Sequence, residues 1–245
     1  VDGEATTPDW SPDGNWIAFS LDECTVAMIH ADGSGMRTVP SQTPGGCETD
    51  PAFTPDGSHL IFERYDPTIE DDAVWNMGLN GDDRRRLGTG PGGAATPEIS
   101  PDGQTVTFLS FTPSDLTAIF AVDIDGGPVR QVTPTLWGIT FKHDWAPDGS
   151  RLVMSDNADN PDRPVNVVTI RSDGTGLRYL TDLQSPEQRA FAGTYSPDGR
   201  WIVFRLEEGD RSALMVMRTG GQGMHAILPF SDFIPRFIDW GPVPS

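Results

Sequence analysis

The chain of 245 residues is poor in the residues that build metal and thiol chemistry: it has two cysteines and four histidines. Cys24 and Cys47 stand outside any C-x-x-C type of metal spacing, so either a disulfide or two free thiols remain. So few histidines argue against a histidine-built metal enzyme. Positive charge is scarce too. Against 36 Asp and Glu there are 17 Lys and Arg, and the net charge of −19 disfavours a nucleic-acid backbone as partner. Cations and basic protein surfaces suit it better. No apolar run approaches a membrane span, and no signal-peptide pattern is visible at Val1. Neither a G-x-S-x-G nucleophile motif nor an EF-hand loop occurs, and no helical period is present.

What the chain has in quantity is Gly (27) and Pro (22), the punctuation of many short strands. One turn recurs: W-S-P-D-G at 10–14, F-T-P-D-G at 53–57, I-S-P-D-G at 99–103, W-A-P-D-G at 145–149, Y-S-P-D-G at 195–199, and a worn D-W-G-P at 239–242. Pro presets φ, Asp tolerates the next position, and Gly supplies a left-handed residue, which predicts a three-residue hairpin loop with a bulge. The third and fifth residues after each Gly are apolar (Ile17 and Phe19, Leu60 and Phe62, Val106 and Phe108, Leu152 and Met154, Ile202 and Phe204). The fourth is Ala18, Ile61, Thr107, Val153 or Val203, so both faces of this strand are expected to be covered. A second apolar run follows, then a Gly-rich turn and a short strand carrying a basic residue.

Four strands in about 45 residues, repeated, indicate an all-β β-propeller of four-stranded antiparallel blades. Here the chain resembles the TolB-like β-propeller family, whose unit reads roughly P-x-W-S-P-D-G-x-x-I-A-F … I-Y-V-x-D-x-D-G … R-x-L-T. The resemblance covers essentially all 245 residues as a single domain, with repeats near 10–52, 53–98, 99–144, 145–194 and 195–238 and a partial one at 239–245. With strands named a to d from the centre, strand a occurs six times and the b-c-d trio five times. The expectation is six-bladed ancestry, with five complete blades, a sixth innermost strand near 236–240 and about 35 N-terminal residues missing. The alternative is a closed five-bladed propeller.

Both S-P-D-G and D-G-x-G turns should project from one face, leaving the b-to-c and d-to-a loops, where function is grafted, on the other. The b-to-c loops are acidic: Asp66, Glu70, Asp71 and Asp72; Asp156, Asp159 and Asp162; Glu207, Glu208 and Asp210. Calcium is the metal such carboxylates suit. One residue before the aromatic or Ile position of strand a stand Asp9, Glu98, Asp144 and Asp239, which would ring a central channel and hold water or a cation. The d-to-a loops supply Trp137, Phe141, Lys142 and His143, then Arg189 and Phe191, then Phe233 and Arg236, a platform for a peptide or sugar.

The family resemblance implies a secreted or periplasmic, non-catalytic scaffold that binds a protein, peptide or glycan on its long-loop face. It would be a monomer unless another chain completes the sixth blade. The alternative is a polysaccharide lyase or other carbohydrate-active enzyme with a loop-face site around His143 and Arg189. Cys24 falls in the first b-to-c loop and Cys47 in the next d-to-a loop, on the same face beside the same blade, so a disulfide between them is expected, with an oxidising compartment.

Overall fold

The computed structural model of the chain describes residues 3–42, 44–112, 116–134, 142–156 and 162–242. Among the described residues there are twenty strands and no helix, hence no helix long and apolar enough to cross a membrane. They form five four-stranded sheets, each in chain order. Blade 1 comprises β1 (Ala5–Trp10), β2 (Trp16–Leu21), β3 (Thr25–His30) and β4 (Arg37–Thr38), and blade 2 comprises β5 (Cys47–Phe53), β6 (His59–Asp66), β7 (Asp71–Gly78) and β8 (Arg85–Gly88). Blade 3 has β9 (Gly92–Ile99), β10 (Thr105–Phe111), β11 (Thr117–Asp123) and β12 (Arg130–Gln131). Blade 4 has β13 (His143–Trp145), β14 (Arg151–Asp156), β15 (Asn166–Arg171) and β16 (Arg178–Tyr179), and blade 5 has β17 (Gln188–Tyr195), β18 (Trp201–Glu208), β19 (Arg211–Arg218) and β20 (His225–Ser231). Nearly all of blades 1 to 3, with Gly241 and Pro242, makes one compact unit, and blades 4 and 5 make a second.

The burial pattern explains the doubly apolar second strand. Phe62, Phe108 and Phe204 are fully buried, and so are Ala18, Ile61 and Val153 on the opposite strand face. Ala18 of blade 1 packs in one cluster with Leu60 and Phe62 of blade 2, and Val153 of blade 4 packs with Ile202 and Phe204 of blade 5. In both pairs the fourth-position residue of the first blade thus meets the third- and fifth-position residues of the second. Each buried aromatic or aliphatic side chain contributes about 1.5–3 kcal/mol.

The repeated turn is one residue longer than the sequence predicts. The backbone N–H of Ser11 donates to the carbonyl of Trp16, and that of Thr54, Ser100, Ala146 and Ser196 donates five residues on in the same way, so four residues lie inside the loop. Within it Gly14 N–H donates to Ser11 O, and Gly14 has φ +71°, a conformation that Gly adopts without strain. The extra residue is accommodated by the side chains. Ser11 Oγ donates to Asp13 Oδ1 (2.6 Å) and accepts Trp16 N–H (2.8 Å), and Asp13 Oδ1 accepts Asn15 N–H (3.0 Å). The hydroxyl replaces a ladder acceptor that a tighter loop would supply. Thr54–Asp56, Ser100–Asp102 and Ser196–Asp198 repeat the set, with donor-to-carboxylate distances of 2.7, 2.6 and 2.6 Å.

Pro and Gly of the motif also pack between blades. A Cβ on Gly57 would lie 3.7 Å from Pro12, one on Gly103 3.8 Å from Pro55, and one on Gly199 3.7 Å from Pro147. Pro242 of the worn sixth copy sits against Gly14 in the same way, at 3.3 Å. The innermost strand expected at 236–240 is not formed: residues 236–240 carry no strand assignment, because no described strand pairs with them. Phe237 nevertheless has φ +52°, matching Thr7 (48°), Asp50 (50°) and Thr96 (45°) three residues before the aromatic or Ile position of strands β1, β5 and β9.

The expected disulfide is present. Cys24, in the β2–β3 turn, is bonded to Cys47 at the start of β5, with Cα atoms 4.4 Å apart. It ties blade 1 to blade 2.

Candidate functional site

In blades 1, 2 and 4 the sixth residue after the turn glycine is where strand b reaches across to the following blade. Ser20 Oγ accepts the N–H of Asp50 (2.9 Å), and Ser155 Oγ accepts that of Ala192 (2.6 Å). Both donors lie three residues before the aromatic position of the following innermost strand. In blade 2 the same position is Glu63, which accepts from the backbone of Thr96. In blade 5 it is Arg205, which donates to the carbonyl of Pro235 at 3.1 Å. Ionisable side chains therefore stand at a position held by a hydroxyl in blades 1 and 4 and by Leu109 in blade 3, and each collects a cluster.

In blade 5 the cluster is cationic and aromatic. Arg205 is opposite Phe191 in the β17–β18 ladder, and Arg189 is opposite Glu207, so all four side chains share one sheet face. The Arg205 guanidinium lies 4.3 Å from the centre of the Phe191 ring and that of Arg189 4.9 Å from it. Such contacts contribute about 0.5–2 kcal/mol each. Arg205 Nε is 3.1 Å from Glu207 Oε1. Burial destabilises the charged form of Arg205; Glu207 opposes this, and Arg236 and Arg189 add to it by repulsion. Arg205 thus feels two other guanidiniums and one carboxylate. Beside them the segment after β20 exposes Phe233 (67%), Ile234 and Phe237, and Phe233 O accepts the Ser212 hydroxyl at 2.6 Å. The arrangement can hold an anion and an apolar group side by side.

In blade 2 the cluster is acidic. Burial first, then Asp50 and Asp72, push the Glu63 carboxyl up to about 9, so it is protonated at neutral pH and hydrogen-bonded to Asp50. Burial and Asp71 push Asp72 up to about 6. A second buried carboxylate, Glu48, is held by Arg84 Nη1 at 2.6 Å.

Of the expected ligand-binding residues, Arg189, Phe191 and Arg236 come together around Arg205, with Phe233 on the adjoining segment. Arg189 and Phe191 lie in β17, not in the preceding loop. Trp137 and Phe141 fall outside the described residues. Lys142 directly precedes β13, and His143, expected at the mouth, is fully buried in that strand. The candidate channel acids have structural partners. Asp9 Oδ2 accepts the N–H of Phe53, and Asp144 Oδ2 that of Tyr195, each at 2.6 Å. Burial pushes Asp144 up to about 7, with the Tyr195 N–H and Lys142 opposing and Asp239 adding to the rise. Glu98 lies opposite Thr107 in blade 3. Among the described residues no three His, Cys, Asp or Glu side chains are grouped so as to hold a metal ion such as calcium. The loop acids make local bonds: Asp71 with Arg86 (2.7 Å), Asp66 with the Thr68 hydroxyl (2.6 Å), and Asp156 with the Tyr179 hydroxyl (2.6 Å). Sequence reasoning missed Glu63 and Arg205. Their signal was a charge at a repeat position held by Ser20, Leu109 and Ser155 in the other blades.

The pattern of the TolB beta propeller domain family matches residues 2–244. An uncharacterized peptidase of Bacillus subtilis, YuxL, is 25% identical over 190 residues, which cover 64% of this chain and 29% of YuxL. The uncharacterized protein Atu1656 of Agrobacterium fabrum is 27% identical over 198 residues, covering 77% of this chain and 65% of that protein. The chain therefore spans less than two thirds of either relative. A solved structure assigned as a TolB from Agrobacterium tumefaciens superposes with a TM-score of 0.77 at 20% identity, over 92% of this chain and 81% of that one, a likeness of fold.

Proposed function

We propose that this chain, which belongs to the TolB β-propeller family, is a non-catalytic scaffold that binds a protein, peptide or glycan through the loop end of blade 5, in the cell envelope or outside the cell. The observation that carries this reading is the stacking of Arg189 and Arg205 on Phe191, with Arg236 close enough to repel Arg205, next to the exposed Phe233. Guanidiniums and aromatic rings hold ligands well and are poor proton carriers at neutral pH, because arginine keeps its proton. The Cys24–Cys47 disulfide supports an oxidising compartment. The test is a screen of the immobilised chain against peptide and glycan arrays, repeated with Phe233→Ala. Hits that weaken in the variant support the reading, and an array with no hits, or hits indifferent to Phe233, contradicts it.

A second reading, a carbohydrate-active enzyme, draws on Glu63. A carboxyl kept protonated to about 9 beside Asp50 and Asp72 is a proton donor at neutral pH, the division of roles that glycoside chemistry uses. Polysaccharide cleavage that disappears in Glu63→Gln would favour it over the scaffold.

A further inference from the structure

We propose that the blade 5 cluster is a carboxylate-binding site for an acidic peptide segment, an inference that rests on reading this surface as the binding site. Three features point to an anion. Arg205 is held half-buried by its packing on Phe191 and its bond to Pro235 O, so its guanidinium is positioned before any ligand arrives. Arg205 is repelled by both Arg189 and Arg236, and among the described residues Glu207 is the one carboxylate acting on it. This occurs on a chain whose net charge is −19, where Arg84 and Arg86 are matched to Glu48 and Asp71. A carboxylate arriving at Arg189 and Arg236 would relieve the repulsion among the guanidiniums through charge-assisted, bidentate bonds.

A peptide fits the surroundings better than a sugar. Phe191 already has two guanidiniums over its ring, at 4.3 and 4.9 Å, so it does not offer the bare face on which a pyranose stacks. The neighbouring exposed groups, Phe233, Ile234 and Phe237, carry no polar tip to read sugar hydroxyls, and they match aliphatic side chains. A segment in which acidic and aliphatic residues alternate would meet both parts at once.

The experiment is fluorescence anisotropy with a labelled decapeptide of alternating glutamate and leucine, against its glutamine analogue and a uronic-acid oligosaccharide. The expected result is preference for the glutamate peptide, weakening as salt rises from about 50 mM to about 300 mM, and a loss of roughly tenfold in Arg189→Gln/Arg236→Gln. Both replaced side chains lie outside the buried core, and a single cooperative melt with a wild-type circular-dichroism spectrum shows that the fold is kept. Equal binding of the two peptides, tighter binding of the uronate, or indifference to the double substitution overturns the inference. If array ligands bind in a Phe233-dependent way while the glutamate peptide does not, the carboxylate site falls and the scaffold stands. If nothing depends on Phe233 or the arginines, both fall.

Discussion

Oδ2 of Asp9 lies 2.6 Å from the backbone nitrogen of Phe53, so a carboxylate on the innermost strand of blade 1 holds the innermost strand of blade 2. Asp144 and Tyr195 form the same latch between blades 4 and 5, also at 2.6 Å. A charge-assisted bond of this kind contributes about 1.5–3 kcal/mol, and its loss leaves a partly buried N–H without an acceptor. Asp9→Ala is therefore expected to lower stability by about 2 kcal/mol in urea unfolding, with Asp9→Asn losing less because its carbonyl oxygen still accepts. An Asp9→Ala midpoint equal to wild type would remove the latch from the account.

The turns make an opposite prediction. In four of the five full motifs a Ser or Thr hydroxyl accepts the N–H five residues on: Trp16 at 2.8 Å, His59 at 3.0 Å, Thr105 at 2.9 Å and Trp201 at 3.0 Å. Ala146 has no hydroxyl, so Arg151 lacks this acceptor. Ala146→Ser should stabilise the chain by about 0.5–1.5 kcal/mol, and Ser196→Ala should cost a similar amount. Thermal melts of the two variants moving in the same direction would contradict the proposed role of the hydroxyl.

Much of this architecture was legible in the sequence. Five turn copies with period-2 flanks gave the blades, and the turn-to-loop alternation placed Cys24 beside Cys47. What was not legible depends on partners a whole repeat away. Asp9, Asp144, Ser20 and Ser155 look like ordinary strand-end polar residues until the next blade's backbone is in place. Arg205 and Glu63 lie in apolar strands whose pattern reads as core, and only comparison of equivalent repeat positions isolates them. The worn D-W-G-P was read as a strand. Its Pro242 keeps the turn's packing against Gly14, and Phe237 keeps the left-handed φ, but residues 236–240 have no ladder.

Glu63 predicts a dependence on pH. Its folded carboxyl titrates near 9 against an ordinary value of 4.5, so between these the folded chain holds a proton that the unfolded chain has lost. Stability from this group is complete below about pH 4.5 and declines as pH rises toward 9. The turn acids act in the other direction: Thr54 and Ser58 hold Asp56 down to about 2 against 3.8, so its contribution is present above pH 3.8 and lost as pH falls toward 2. Urea midpoints should fall from pH 5 to 9, and Glu63→Gln should flatten that decline. A variant as steep as wild type would show that Glu63 is not the titrating group.

Gly241 tests the packing of the sixth copy. A Cβ there would lie 2.8 Å from Cδ2 and Cε2 of Trp10, closer than side chains approach. Gly241→Ala must displace the indole and should cost about 1–3 kcal/mol, with a shift in tryptophan emission. An unchanged spectrum and midpoint would mean that the tail does not pack on blade 1.

The claim that ligands dock at the loop end of blade 5 is tested most directly by a hydrogen–deuterium exchange footprint of the chain with the strongest array ligand bound. The account predicts slowed exchange in residues 188–191 and 232–237, with the S-P-D-G turns at 11–15, 54–58 and 196–200 unchanged. Protection centred on those turns, or none near β17 and the segment after β20, would contradict it.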